Sequence, residues 1–243
     1  MSGGNGKTAL VFGGSRGIGA AIVQRLARDG YAVAFTYVSS EAAAREIEEG
    51  LISSGRRAKA IRADSGKAED IRAAVSTTIE RFGRLDAVVV NAGIFGIATV
   101  DAVSEADLDE MLRINVRGVY LSMQAAAEQL SDGGRIVTIG SNVAIRTGFP
   151  GASVYQMTKA AVAAMVKGIA LDLAPRGITV NNVQPGPTDT DINAGGIEVL
   201  STMSPLKRVA QPEEIAGLVA YIVNDEAGYM TGASLTIDGG FTL

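Results

Sequence analysis

The chain has 243 residues, enough to bury a sizeable core, and 47% hydrophobic against 20% charged residues is the balance of a compact globular protein rather than a disordered one. A formal charge of -4 gives no basic footprint for a nucleic-acid polymer or an anionic membrane, while zero cysteine and zero histidine remove disulfides, thiol nucleophiles, thiolate and imidazole metal ligation and the commonest general base. The start, "MSGGNGKTALVF", has no charged leader ahead of an apolar run, and nowhere do about eighteen apolar residues follow one another, so a cytoplasmic protein without membrane span or metal is expected.

In chain order, β-rich apolar runs recur at 8–12, 32–37, 58–63, 85–90, 135–140, 178–183 and 233–238. Helical spacing fills the gaps between them, with Ile22 and Leu26 on the first helix, Leu108, Leu112, Val116 and Val119 on a long one, and Ile215, Leu218 and Ile222 on the last. Ser104 is placed to cap the long helix, and Pro212 opens the last. Most strands are continuously apolar, as expected when helices cover both faces of a parallel sheet. The pattern predicts one doubly wound α/β domain over 1–243 with a seven-stranded parallel sheet. Residues 187–210 have weak periodicity and a Gly195-Gly196 pair, and a loop of that length reads as a substrate lid with a hinge.

After the first strand, "GGSRGIG" spaces Gly13, Gly17 and Gly19 as G-x-x-x-G-x-G at the opening of a helix. Glycine permits the sharp turn and lets backbone amides approach a pyrophosphate at the positive end of the helix dipole, although a tight turn with no ligand uses the same residues. The second strand ends "FTYVSS", with no acid before Glu41 to repel a 2'-phosphate. Arg16 with the hydroxyls of Ser39 and Ser40 can receive that phosphate, which favours NADP(H) over NAD; the alternative is a solvated Arg16 and a serine that caps the next helix. Tyr155 and Lys159, four apart on a helix, look into the same cleft, and a nearby ammonium favours the phenolate, so the phenol is expected to titrate below its ordinary value near 10.

With "NAG" at 91–93, "RINVRG" around Asn115, "TIGSN" at 138–142, "YQMTK" at 155–159, "PGPTDT" at 185–190 and "TIDGG" near the end, all in order, the chain resembles the short-chain dehydrogenase/reductase family over its whole length. The resemblance implies a Rossmann fold, a homotetramer or dimer joined through the helix carrying the apolar face at 160–173 and the helix at 211–224, and a catalytic tetrad of Asn115, Ser141, Tyr155 and Lys159. In it Tyr155 exchanges the proton, Ser141 donates to the substrate oxygen, Lys159 also binds the nicotinamide ribose, and Asn115 holds a relay water. Further cofactor contacts are implied at Ser15 and Ile18 in the glycine loop, at Tyr37, at Asp64 and Ser65 beside the adenine, at Asn91, Ala92 and Gly93, and at Pro185, Gly186, Thr188 and Thr190 round the nicotinamide. Two residues depart from the family's pattern, Phe12 where threonine is usual and Val90 where a first asparagine is usual, each expected to cost a local hydrogen bond. Ser141 lies fourteen residues before Tyr155, the long end of the usual spacing.

The function expected is an NADP-dependent carbonyl reductase or alcohol dehydrogenase acting on a small ketone or aldehyde. Reduction of a 3-oxoacyl group on a carrier protein is a second possibility; the helix end "QAAAEQLSDGG" has acids and no base to meet an acidic carrier, while Arg176 keeps it open. A third comes from likeness to a bacterial family member described as a cyclic-di-GMP-binding biofilm dispersal mediator, which suggests a nucleotide-sensing regulator. Arg146, in the loop after Ser141, can bind an anionic group, although a loop arginine is usually just solvated.

Overall fold

The computed structural model describes residues 6–243, so the leaderless reading of residues 1–5 lies outside the described residues. Seven parallel strands form one sheet in the order β3-β2-β1-β4-β5-β6-β7, with β1 Thr8–Phe12, β2 Ala32–Tyr37, β3 Ala58–Arg62, β4 Ala87–Val90, β5 Arg135–Ile139, β6 Thr179–Pro185 and β7 Ser234–Ile237. This is the expected doubly wound Rossmann architecture. Alternation within β1 shows why its run is unbroken: Ala9 and Val11 pack with α1 (Gly17–Arg28) and α8 (Pro212–Ile222) on one face. Leu10 and Phe12 enter the core of the other face, under α3 (Ala68–Phe82), α5 (Val119–Gln129) and α6 (Ser153–Leu173). Both faces are covered, so Ala9 through Phe12 are apolar without alternation.

The element boundaries differ from the sequence reading where side chains compete with the ladder. β4 begins after Asp86 because that carboxylate accepts from the Thr8 N–H at 2.8 Å and pairs with Arg84. β6 runs on to Pro185, opposite Ile237, a position at the strand end where a missing N–H is tolerated. Ser104 does cap α4 (Glu105–Leu112), its hydroxyl accepting from the Asp107 N–H, and Pro212 and Glu214 open α8 with a capping box from Gln211. The long helix is not uniform: between α4 and α5, Arg113–Gly118 forms a π-helical segment that carries Asn115. Such segments gather at functional sites. The weakly periodic stretch also holds a helix, α7 (Ile197–Met203), starting directly after Gly196.

Strand order reverses between β1 and β4, and ligands of open α/β sheets sit in the crevice beyond the carboxyl ends at such a point. The glycine loop follows β1 there, and residues 91–93 follow β4.

Candidate active site

The glycine loop is held by its neighbours. Gly13 has φ +76°, a left-handed turn that side chains resist, and its N–H donates to Thr36 Oγ1 at 2.9 Å. Phe12 is fully buried, and the Gly13 amide is satisfied by a hydroxyl from β2. Asn91 Nδ2 donates to the Gly13 carbonyl at 2.7 Å, and a Cβ on Gly19 would collide with that carbonyl and lie 2.6 Å from Asn91 Nδ2. Ala92 packs against Gly13, and Ser15 is buried within the loop. Ile18 and Tyr37 lie half-buried against the core of that face. The first turn of α1 carries no acid, so its positive end faces the crevice uncompensated.

Arg16, at the N-cap position of α1, is exposed and lies 3.8 Å from Asp191. Ser40 occupies the N-cap position of α2 (Glu41–Ser53), but its side chain makes no capping bond, and Ser39 is exposed. Of the two uses weighed for these serines, helix capping is the one the geometry does not bear. Asp64, after β3, spends one oxygen on the Gly66 N–H at 2.8 Å, with Arg113 near the other at 3.9 Å, and Ser65 beside it is buried.

Four side chains meet at the mouth of the crevice. Lys159 is buried, its Nζ donating to the Ile139 carbonyl at 3.0 Å and standing 5.7 Å from the centre of the Tyr155 ring. Ser141, at the end of β5, turns its hydroxyl to the Val143 N–H at 3.3 Å and lies beside the Tyr155 phenol. Asn115 is nearly inaccessible: Oδ1 accepts from the Ile94 N–H at 2.8 Å, and Nδ2 donates to the Ile94 carbonyl at 2.8 Å and to Thr158 Oγ1 at 3.3 Å. Gly93 lies against both Asn115 and Lys159. Phe95 was not anticipated; its ring meets that of Tyr155 edge-on, 4.9 Å between centres and 89° between planes. It sits in coil, where no periodicity marks it.

The titration of Tyr155 departs from expectation. Burial pushes its phenol up to about 12, and the Ser141 hydroxyl opposes this only in part. Burial likewise pushes Lys159 down to about 8. The ammonium four residues away does not lower the phenol: burial and the Ser141 hydroxyl are what act on Tyr155, and burial disfavours the charged form of Lys159 as well.

At the far side, Gly186 lies against Asp238, whose carboxylate accepts from the N–H groups of Gly240 and Thr242 at 2.9 Å each. Pro185 is buried in the last position of β6. Thr188 bridges to Ala210, tying the two ends of the 187–210 segment together, and the Thr190 side chain rests on Gly17. Arg146 does not face an open anion site: it donates to the Leu243 carbonyl at 2.6 Å. Arg176 pairs with Asp132 at 2.8 Å and donates to the carbonyls of Ala127 and Leu130.

With this geometry in place, residues 13–242 match a family model described as enoyl-(acyl carrier protein) reductase. A short-chain dehydrogenase/reductase from Serratia marcescens BCRC 10948 superposes with a TM-score of 0.96 at 49% identity, covering 98% of this chain and 99% of that one. The chain belongs to the short-chain dehydrogenase/reductase family. It is an oxidoreductase of that family. A member from Burkholderia cenocepacia J2315, solved in complex with NADP, superposes with a TM-score of 0.95 at 45% identity, covering 98% and 99% of the two chains. The Escherichia coli (strain K12) cyclic-di-GMP-binding biofilm dispersal mediator protein is 43% identical over 239 residues, 97% of each chain. No helix among the described residues is long and apolar enough to cross a membrane.

Proposed function

We propose that this dehydrogenase/reductase is an NADPH-dependent carbonyl reductase, reversible as an alcohol dehydrogenase, in which Tyr155 exchanges the proton. The observation that carries the proposal is the meeting of Tyr155, Ser141 and buried Lys159 beside a helix N-terminus free of acids. NADP(H) would lie along Gly13, Ser15, Gly17, Ile18 and Gly19, with its 2'-phosphate at Arg16, Ser39 and Ser40. Its adenine would meet Tyr37, Asp64 and Ser65, and its nicotinamide end would meet Asn91, Ala92, Gly93, Pro185, Gly186, Thr188, Thr190 and Lys159. These residues fit such a group: the loop amides are drawn close by glycine, Arg16 is exposed with only a long 3.8 Å contact to Asp191, and the Ser40 hydroxyl is not used as a cap.

Bound there, NADPH supplies a hydride to the carbonyl carbon. Ser141 donates a hydrogen bond to the carbonyl oxygen and polarises it. Tyr155 then delivers its proton to the same oxygen, and its raised pKa keeps it in the donor form throughout the neutral range. Phe95 fixes the plane of the phenol. Asn115 has both Nδ2 hydrogens engaged, so any water it holds for proton relay would rest on its backbone carbonyl or the remaining lone pair of Oδ1. The segment 187–210 is the substrate lid of a single domain over 1–243. The same reading carries a cytoplasmic homotetramer or dimer, and the exposed Leu171 on α6 and Tyr221 on α8 support it.

A panel of ketones and aldehydes assayed with NADPH and with NADH tests the proposal. Turnover with a preference for NADPH is expected, and no turnover of any carbonyl would overturn it. The relative named for cyclic-di-GMP binding favours a second reading, a nucleotide-sensing regulator, which predicts tight cyclic-di-GMP binding without carbonyl turnover.

A further inference from the structure

Asn142 follows Ser141 in the chain and opens a short 3-10 turn, Asn142–Ala144. Its carbonyl accepts from the N–H groups of Ile145 at 3.0 Å and Arg146 at 3.2 Å, which fixes its backbone, and the residue is only 4% exposed. Its side-chain amide meets two partners among the described residues. Nδ2 donates to Asp238 Oδ2 and Oδ1 accepts from the Ser141 hydroxyl, at 3.5 Å each. An amide offers two hydrogens and two lone pairs, so this one is buried with half its capacity unspent, a costly choice for a side chain that only fills space.

Asp238 decides which way that amide points. Its carboxylate can only accept: Oδ1 takes the Gly240 N–H at 2.9 Å, and Oδ2 takes the Thr242 N–H at 2.9 Å and the Thr242 hydroxyl at 2.8 Å. Gly186 packs so closely on its Cα and Cβ that a side chain there would collide, and the aspartate is held from that direction too. Facing a fixed anion, Asn142 must offer Nδ2, and its oxygen is left to Ser141. The reversed amide would set oxygen against carboxylate and leave the serine proton without an acceptor.

Ser141 has one proton and two lone pairs. The Val143 N–H, at 3.3 Å, uses a lone pair, and Asn142 Oδ1 receives the proton. Held from both sides, Oγ stays beside the Tyr155 phenol instead of visiting the other staggered positions open to a serine. The contact of 3.5 Å is loose, which suits a proton that must turn to the substrate oxygen in every turnover.

We propose that Asn142 is a positioning residue for Ser141: its amide, turned by Asp238, holds the serine hydroxyl beside Tyr155 until the substrate oxygen takes over that hydrogen bond. The proposal rests on the carbonyl-reductase reading and adds a residue that acts through Ser141. Its test is single-turnover reduction by NADPH of a ketone from the carbonyl panel, such as acetophenone, in Asn142→Ala, Asn142→Leu, Ser141→Ala and the two double variants. Asn142→Leu keeps most of the side chain's volume and removes its amide, which separates hydrogen bonding from packing. Each Asn142 variant is expected to slow the chemical step about tenfold with NADPH affinity unchanged, within the coupling range of residues that share one hydrogen-bond network. In the Ser141→Ala background the same substitutions should cost less than about twofold, because no hydroxyl remains to be positioned. An equal loss in both backgrounds would assign the effect of Asn142 to the fold at large, and a full rate in Asn142→Leu would reduce the amide to packing. Either result overturns the proposal and leaves the reductase reading standing. If the parent binds NADPH yet reduces no carbonyl of the panel, the reductase reading falls and the proposal with it.

Discussion

Lys159 should make the parent protein gain stability as the solution becomes alkaline, and the structure sets the size of the gain. Its ammonium is taken out of water with one carbonyl as partner, and its pKa falls from 10.5 to about 8. The native state therefore binds fewer protons than the unfolded state between those values, and a group with that sign adds stability as pH rises through the window. Near pH 7 the buried amine costs roughly 3 kcal/mol, and near pH 10 less than about 1 kcal/mol, so the two conditions differ by about 2.5 kcal/mol. Lys159→Met removes the titration while keeping the length of the side chain. It also leaves the Ile139 carbonyl without its lysine donor, a loss of about 1 to 3 kcal/mol that does not depend on pH. The absolute effect at neutral pH is thus a near cancellation, whereas the pH dependence is not. Urea unfolding of parent and variant near pH 7 and near pH 10 isolates it, since all other ionisations are shared. The variant should lose about 2.5 kcal/mol relative to the parent on going from the lower to the higher pH. A difference between the two proteins that stays constant within about 0.5 kcal/mol would mean that Lys159 titrates as an ordinary lysine and that its burial has been misjudged.

Other consequences are open to simpler tests. Ser39→Asp puts a carboxylate beside the position given to the 2'-phosphate and should cut the NADPH-to-NADH affinity ratio by about 10- to 100-fold, measured by fluorescence titration; an unchanged ratio refutes that placement. Gly19→Ala forces a methyl into the Gly13 carbonyl and Asn91, which should destabilise the fold by about 2 to 4 kcal/mol and abolish NADPH binding, and wild-type binding in a folded variant would contradict the role of the loop. Residues 187–210 are pinned at Thr188 and Ala210 but open at Gly195, so protease cleavage between the pins should slow when NADPH and substrate are bound. A rate indifferent to both would argue against a lid.

What the sequence could disclose depended on whether the cause was local. Strands buried on both faces, such as β1 with Ala9 and Val11 on one side and Leu10 and Phe12 on the other, announce themselves as unbroken apolar runs. The cap at Ser104 and the helix start at Pro212 are equally local, and both are legible. The commitments of the arginines are not: Arg146 finds its partner 97 residues away and Arg176 finds Asp132 at a distance of 44, and no spacing rule joins such pairs. Thr36 reaches the Gly13 N–H only because β2 lies beside β1 in register. The π-helical segment at Arg113–Gly118 keeps an ordinary helical pattern in sequence, and Phe95 acts from coil. For Tyr155, a lysine four residues on was visible, whereas the burial that raises its pKa comes from tertiary packing, with Phe95 and Ser141 among its neighbours.

If Tyr155 moves the proton, removing its hydroxyl must slow the chemical step alone, and single-turnover reduction by Tyr155→Phe measures that step. The variant, bound to NADPH and mixed with a ketone that the parent reduces, keeps the aromatic ring against Phe95 and removes only the hydroxyl. NADPH affinity should be retained and the chemical step slowed by about 10²- to 10⁴-fold, the range for loss of a positioned general acid. A chemical step as fast as the parent's would contradict this and remove proton transfer from this helix.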